Sequence, residues 1–540
     1  MCLCVKNLKP HKSLIFKRLS NMEKIKILWA DDEIDLLKPH KMFLEKKGYE
    51  VLTVSNGHDA LEEVAAQRDI DVVFLDESMP GLTGLETLAR IKAMQPNLPV
   101  VMITKNEAEQ VMEEAIGQQI HDYLIKPVNP NQILLTLKKI VDNKRLVSER
   151  TTQDYQQSFR ELFMQIQSGL NVEEWVDVYK KLVNWELRLD ATNSDDMAEI
   201  LATQKAEANG EFSKFIAKNY VDWLNTKSNK APTMSHNLLK NKVFPHIGDG
   251  IPTVCLLLDN LRYDQWKMIE PIVSTLFRIE EEDYFYSILP ATTQYSRNAI
   301  FSGMMPAEIE ARHPTWWFND NEEGGKNLHE ADLLAEQIQK IQRKSWKFDY
   351  VKITNAANGK LLEDNILNYL KNDLTFIVYN FIDMLSHART EMEVLKELAS
   401  DEKAYRSLTK SWFENSPLFA ALKKISEKNV RLFILTDHGT IRVKTPSKVI
   451  GDKETTTNLR YKVGKNLQYE RRDVLEIRDP KTVGLPRPNV SSTFIFAKQD
   501  VYFLYPNNYN HFNNYYRNTF QHGGISLEEL ICPVIRLRSK

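Results

Sequence analysis

The residues best suited to chemistry in this chain are aspartates and histidines at, or shortly after, the ends of apolar runs. Thr253-Val-Cys-Leu-Leu-Leu ends in Asp259, and Thr375-Phe-Ile-Val-Tyr runs on to Asp383 and His387. Arg431-Leu-Phe-Ile-Leu-Thr ends in Asp437-His438, and His522 stands in a Gln-His-Gly-Gly turn. Mixed carboxylate and imidazole donors suit zinc, manganese or iron better than magnesium or calcium, which prefer all-oxygen shells. Two such ions about 4 Å apart can clamp the attacking and leaving oxygens of an in-line phosphoryl displacement. Between the first two runs, Pro290-Ala-Thr-Thr-Gln-Tyr-Ser-Arg-Asn offers Thr292 or Thr293 as a hydroxyl nucleophile. Asn260, Arg262 and Arg297 lie in the same motifs and are expected to line the substrate pocket. His313-Pro-Thr-Trp-Trp317 stands at a distance suited to a substrate loop, with Trp316 and Trp317 either stacking a nucleobase or packing as a lid. Arg460, Lys462, Lys465, Arg471 and Arg472 form a basic insert, expected to be a solvated charged loop, with attraction of a polyanionic substrate as the alternative.

A second acidic cluster lies far upstream. Ile25-Lys-Ile-Leu-Trp-Ala ends in Asp31-Asp32, Asp71-Val-Val-Phe-Leu in Asp76, Leu98-Pro-Val-Val-Met-Ile in Thr104, and Asp122-Tyr-Leu-Ile in Lys126-Pro127. Asp31, Asp32 and Asp76 offer the oxygen ligands that magnesium takes. Asp76 is then a carboxylate nucleophile that becomes an aspartyl phosphate. Lys126 would pair with the new phosphate, Thr104 would hydrogen-bond to it, and Tyr123 would swing inward as Thr104 moves.

The elements that must position these groups are strands and helices in alternation. Helical patterns over Asp35 to Lys47 and Gly84 to Met94 separate the upstream strands, which predicts a parallel, doubly wound sheet with its site at the carboxyl ends. From Ile140 to about Val243 the pattern is helical, over Gln156–Ser168, Val172–Val183 and Asp195–Tyr220, with breaks expected at Asn209-Gly210 and Pro232. Trp175, Trp185 and Trp223 are expected in its core. Strands and helices alternate again from Ile251 to Arg536, predicting a second, larger α/β sheet.

At 540 residues the chain is too long for one core, and three or more domains are expected. A formal net charge of −2 supplies no global field for nucleic acid or membranes. The middle helices carry no basic recognition element, which argues against a DNA-binding transcription factor. Cys2, Cys4, Cys255 and Cys532 are too scattered for a disulfide framework and point to a reducing, cytoplasmic setting. No run approaches the roughly 18 apolar residues of a membrane span, so no membrane insertion is expected. Residues 1–21 lack a signal-peptide core and are expected to be a disordered extension.

The order Asp-Asp, Asp, Thr, Lys-Pro, with Asp76-Glu-Ser-Met-Pro-Gly-Leu-Thr-Gly, is similar to the receiver domain of two-component response regulators. That resemblance implies a flavodoxin-like fold over residues 22–145. Downstream, Leu258-Asp-Asn-Leu-Arg-Tyr-Asp264, Pro290-Ala-Thr-Thr through Ser302-Gly303, Asp383-Met-Leu-Ser-His387, Thr436-Asp-His-Gly439 and His522-Gly523 resemble the PglZ-type branch of the alkaline phosphatase superfamily. This implies a domain over residues 246–540 and leaves a helical linker domain over 146–245. It implies two zinc ions, one held by Asp383, His387 and His522, the other by Asp259, Asp437, His438 and the nucleophile. Counted back from Ser302-Gly303, the family register makes the nucleophile Thr293, with Thr292 as the fallback. Sulfatases of the superfamily need cysteine or serine there, whereas relatives resembling nucleotide phosphodiesterases commonly carry threonine. The implied substrate is therefore a phosphodiester such as a cyclic or linear oligonucleotide.

A receiver joined to a PglZ-type domain is together similar to the PorX-type response regulators of Bacteroidetes. That resemblance implies control of type IX secretion, a PorY-type sensor histidine kinase, and homodimerisation on phosphorylation. It also implies contact with a secretion-motor protein or an extracytoplasmic-function sigma factor. A competing expectation is a catalytically weak or inactive, zinc-stabilised signalling module that acts through dimerisation and partner binding.

Overall fold

A computed structural model describes residues 25–67, 69–105, 120–192, 195–225, 231–341, 346–399 and 401–540. The extension expected over residues 1–21 lies outside the described residues. The chain divides into two compact units, Met1–Arg150 and Thr151–Lys540.

In the first unit, five parallel strands stand in the order β2-β1-β3-β4-β5. They are β1 (Lys26–Ala30), β2 (Glu50–Val54), β3 (Val72–Asp76), β4 (Val100–Thr104) and β5 (Asp122–Ile125). The strand β2 was not anticipated: Glu50-Val-Leu-Thr-Val forms the sheet edge and is mostly half-buried, so it lacks an unbroken apolar run. By contrast β3 and β4 are buried along their whole length, as strands covered on both faces must be. Helices α1 (Lys38–Lys46), α2 (Gly57–Ala66) and α3 (Gly84–Met94) supply that cover. A capping box between Thr83 and Glu86 starts α3 directly after the loop that follows Asp76. Gly84 is required there, because a Cβ would meet the Asp76 carbonyl oxygen at 2.4 Å and Glu77 Cα at 2.8 Å.

The second unit is built on a six-stranded mixed sheet in the order β7-β13-β10-β6-β9-β8. Strands β6 (Thr253–Leu258), β8 (Phe348–Ile353), β9 (Leu374–Tyr379) and β10 (Arg431–Leu435) are parallel. Beyond β10, the antiparallel β13 (Ile531–Ser539) and, antiparallel to it, β7 (Phe277–Tyr286) complete one edge, although they lie far apart in the chain. A short pair, β11 (Ile441–Arg442) and β12 (Phe520–Gln521), ties the segment after His438 to the one before His522.

Helix α4 (Pro130–Gln167) is divided between the two units, and α5 (Val172–Thr192) and α6 (Asp195–Asn225) belong to the second. These helices do not enclose a core of their own. Trp175, Tyr179, Leu182, Phe212, Ile216 and Tyr220 share one continuous core with Leu256, Trp266, Tyr286 and Ile535. Trp175 and Trp185 are buried, and Trp223 packs half-buried on the same core. The break expected at Asn209-Gly210 does not occur, since α6 runs through both. A mid-helix glycine costs about 1 kcal/mol. Here it lets the Gln499 amide approach, to 2.9 Å from where a Cβ would stand, while Asn209 is held by bonds to Glu528 and Leu527.

Because its side chain would displace backbone rather than a flexible neighbour, Gly84→Ala is expected to cost the receiver unit about 1–3 kcal/mol. The first unfolding transition in urea should shift accordingly, and an unchanged midpoint would contradict the close approach.

Candidate metal centre and phosphoacceptor site

Sheet register assembles the downstream site. Leu257 pairs with Leu435 and Leu258 with Tyr379, so Asp259, Asp437 and the Asn380–Asp383 turn leave the sheet together at its carboxyl edge. Helix α8, here Phe381–Glu391, carries Asp383 and His387 one turn apart on one face. The turn after β12 brings in His522. The six residues form two groups, Asp383/His387/His522 and Asp259/Asp437/His438, each offering ligand atoms within 4.8 Å of one another. Within the first, His387 Nε2 lies 3.5 Å from Asp383 Oδ2 and His522 Nε2 lies 3.7 Å from Asp383 Oδ1. Within the second, His438 Nε2 lies 3.9 Å from Asp259 Oδ1 and 3.8 Å from Asp437 Oδ2. The His438 and His522 rings stack with centroids 4.3 Å apart, so the groups adjoin.

The donor set fits cations. Burial, with Asp259 nearby, raises the Asp383 carboxyl from 3.8 to about 6 and pushes Asp437 up well above the usual carboxylate range. Burial holds His438 and, far more strongly, His522 below the ordinary imidazole value, so both rings are neutral donors. The Asp437 Oδ2 atom is buried and accepts no hydrogen bond, and Arg297 Nε stays 4.0 Å from it. Three carboxylates crowded beside neutral imidazoles lack positive charge, which divalent ions supply.

Threonine 293 opens the π-helical turn Thr293–Arg297, which runs into Asn298–Ser302. Its Oγ1 donates to Asp259 Oδ1 at 3.3 Å and lies 3.1 Å from His438 Nε2. Thr292 is the residue before that turn, and its buried hydroxyl has no hydrogen-bond partner. Of the two candidates, Thr293 is the one whose hydroxyl touches the ligand cluster.

The three residues expected to line the substrate pocket are placed differently. Arg297 is buried, bound to Asp259 Oδ2 at 2.7 Å and Glu330 Oε1 at 2.6 Å. Arg262 is buried and spent on Asp264 and Glu402. Asn260 is fully buried in the left-handed region (φ 68°), which asparagine tolerates. Its backbone N–H donates to Asp437 Oδ1 and its side-chain amide to Asp383 Oδ1, both at 3.2 Å. All three are therefore buried and hold ligands or their neighbours, the two guanidinium groups through carboxylates.

Other expectations are corrected too. Trp316 has both faces covered, stacked between His313 at 4.2 Å and His329 at 4.9 Å, and Trp317 is buried against Tyr295. Neither offers a free face to a base. In the basic insert, Arg460 is buried on Glu529, and Lys462 is buried with its pKa lowered to about 7 by burial. Arg471 and Arg472 are solvated as expected. Sequence reasoning missed Glu330, which anchors Arg297 and also binds Lys352. Its place in the first turn of Glu330–Ile341 looks like an ordinary solvated acidic cap. It also missed Ser287 and Ser296, which donate to the Asp437 carbonyl at 2.9 and 2.7 Å.

In the first unit, Asp31, Asp32 and Asp76 offer carboxylate oxygens within 4.8 Å of one another. Lys126 Nζ lies 2.9 Å from Asp31 and 3.1 Å from Asp76. Burial raises Asp76 to about 6 despite Lys126. The Thr104 hydroxyl donates to Glu77, and Tyr123 is 40% exposed. The oxygen-only donors fit magnesium.

Two sheets with polar clusters at their carboxyl edges, one oxygen-only and one mixed, define a receiver coupled to a phosphatase-like metal domain. Residues 238–537 match the BREX system PglZ alkaline phosphatase-like domain, and the chain belongs to that PglZ family. Residues 27–138 match the response regulator receiver domain and 145–224 the PorX response regulator linker domain, so the order is that of a PorX-type receiver–PglZ fusion. Both kinds of domain generally use metal ions. The chain is 34% identical over 131 residues to the transcriptional regulatory protein ZraR of Klebsiella oxytoca, covering 24% of this chain and 29% of that protein. It is 33% identical over 124 residues to the alginate biosynthesis transcriptional regulatory protein AlgB of Pseudomonas aeruginosa, covering 23% and 27%. The chain thus spans less than a third of those relatives' lengths. A receiver domain structure from Clostridium thermocellum is 32% identical, with a TM-score of 0.22, covering 23% of this chain and 98% of that one. No helix of the described residues is long and apolar enough to cross a membrane.

The raised Asp383 value sets a sign. Its folded-state pKa lies above the ordinary 3.8, so its contribution to stability is present below that value and lost as pH rises through about 6. A divalent ion competes with that proton. Added zinc should therefore raise the melting temperature at about pH 7, with the shift shrinking as pH falls below about 6. An undiminished shift at about pH 5 would mean that zinc binds elsewhere.

Proposed function

We propose that the second unit is a zinc-dependent phosphodiesterase acting on cyclic or linear oligonucleotides, and that phosphorylation of Asp76 in the receiver governs it. The observation that carries this reading is the contact of the Thr293 hydroxyl with both Asp259 and His438 at the edge of the ligand cluster. Asp383, His387 and His522 would hold one zinc ion and Asp259, Asp437 and His438 the other, and the pair would supply positive charge against the phosphoryl oxygens. Thr293 Oγ attacks phosphorus, the alcohol of the diester leaves, and water then hydrolyses the phosphothreonine. Asp259 and His438 orient the attacking hydroxyl, and Arg297 fixes Asp259 from behind. Asn260 holds Asp383 and Asp437 in register. Backbone N–H groups at the opening of the turn that Thr293 begins would receive a phosphate oxygen.

In the receiver, magnesium held by Asp31, Asp32 and Asp76 would assist phosphoryl transfer from a PorY-type sensor histidine kinase. Lys126 would pair with the new phosphate, while Thr104 and Tyr123 would move as the switch. The same reading makes the protein a cytoplasmic regulator of type IX secretion that dimerises when phosphorylated. It would contact a secretion-motor protein or an extracytoplasmic-function sigma factor. A second reading, a catalytically weak zinc-stabilised module acting through partners, is favoured by the continuous core that the linker helices share with the metal domain.

Turnover of bis-p-nitrophenyl phosphate by the zinc-loaded protein tests the enzyme. Thr293→Ala should lower it by at least about a hundredfold, while Thr292→Ala keeps most of it. Full turnover by Thr293→Ala, or none by the wild type with and without phosphorylation, would favour the second reading. Acetyl phosphate with magnesium should put an acid-labile phosphate on the wild type and none on Asp76→Asn.

A further inference from the structure

Outside the metal cluster lies a buried network of charges that the reaction does not use. It begins on the linker helices. Glu186 and Asp190 of α5 bind Arg406 at 3.0 and 2.5 Å. Arg406 belongs to Glu402–Asn415, here α9, and also binds Asp264 at 2.9 Å. Asp264 stands in the first turn of α7 (Tyr263–Leu276) and binds Arg262 at 2.5 Å. The stem of Arg262 then closes on Gly439, next to His438: a Cβ on Gly439 would stand 3.3 Å from Arg262 Cγ.

A second strut starts on α6. Asn209 donates to Glu528 Oε2 at 3.0 Å and accepts from the Leu527 N–H at 2.8 Å. Lys205 joins the two struts, 2.7 Å from Glu186 and 3.6 Å from Glu528. The Glu528 carbonyl oxygen is pressed against Gly439, at 2.1 Å from where a Cβ would stand, and the Gly439 N–H donates to the Glu529 carbonyl at 3.2 Å. The Gly523-Gly524 bend joins His522 to this segment, which runs from Ile525 into the short helix Leu527–Leu530.

Thus both histidine turns, His438-Gly439 and His522 to Glu529, are gripped by the same two helices. The helices pack apolar side chains on this domain, and beside that packing a cavity of about 360 Å³ opens among Glu186, Lys205, Asn209, Arg406 and Glu528. Polar contacts of defined length add a directional constraint to the packing. Groups behind metal-ligating histidines set ring orientation and metal affinity.

We propose that Glu186, Asn209, Arg406 and Asp264 are positioning residues through which the linker helices α5 and α6 set the geometry of the His438 and His522 turns. The proposal rests on the metal-site reading above and adds the helices as its controlling layer. Removing one strut loosens the histidine turns without removing any ligand. The struts converge on one pair of turns, so their effects do not add.

The test compares Glu186→Gln, Asn209→Ala, Arg406→Met and the double variant Glu186→Gln/Arg406→Met in the full chain. Tyr155→Phe, which loses only its bond to Gln204 in the helical layer, serves as a control for general loosening. Two readouts are taken: zinc affinity by chelator competition, and backbone amide exchange at residues 436–440 and 522–529 in metal-free protein. Each single variant should weaken zinc binding about tenfold, the low end for partners behind metal ligands, and speed exchange in both turns. The double variant should be no weaker than Arg406→Met alone. Two results would overturn the proposal: affinity and exchange within twofold of wild type, or the same changes in Tyr155→Phe. Should the wild type bind no zinc, the metal-site reading fails while the exchange arm still decides the struts.

Discussion

The constraint on which the second unit depends is the crowding of three carboxylates at the carboxyl edge of its sheet. Asp259 and Asp437 leave adjacent strands buried, and half-buried Asp383 joins them from the first turn of α8. A buried carboxylate without compensation is unfavourable by several kcal/mol. Arg297 compensates Asp259 directly and reaches Asp437 only at 4.0 Å. The rest of the site is arranged around the positive charge still missing. Neutral imidazoles enter from two turns, serines fix the Asp437 backbone, and Asn260 accepts a left-handed conformation to bridge two of the carboxylates.

The receiver meets the same problem on a smaller scale and answers it differently. Asp31 and Asp76 converge at the carboxyl edge of a parallel sheet, and Lys126, from the end of β5 beyond β4, reaches both carboxylates. Burial still leaves Asp76 with a raised pKa, so the site favours a cation beside it. Oxygen donors alone suit harder ions, whereas the imidazoles downstream suit softer ones. Two carboxyl edges thus carry different donor sets, separated by which side chains stand there.

The helical segment joins these chemistries to structure. Its tryptophans and tyrosines complete the core of the metal domain rather than a separate bundle, and its polar residues reach the backbone behind the histidines. Gly210 in the middle of α6 illustrates the trade: helix propensity is given up so that another segment can approach.

The sequence by itself determined the chemistry and the order of the parts. Apolar runs that stop at Asp259, Asp437 or Asp76 mark strands buried along their length with a polar end, as strands covered on both faces require. The ligand types and the threonine pair were legible for the same reason: short-range pattern encodes strand ends. What it did not reveal depended on partners distant in the chain. Arg262 and Arg297 looked like substrate contacts until Asp264, Glu402 and Glu330 were seen to bind them, and Glu330 looked like a solvated helix cap. Edge strand β2 and the antiparallel pair β7 and β13 lack the uniform apolar run that parallel burial imposes on β3 and β4. The family register already favoured Thr293 over Thr292, and tertiary structure added that the Thr293 hydroxyl is the one that touches the ligands. Tertiary structure alone decided that the helices grip both histidine turns, since hydrogen bonds across some 318 residues leave no local signal in sequence.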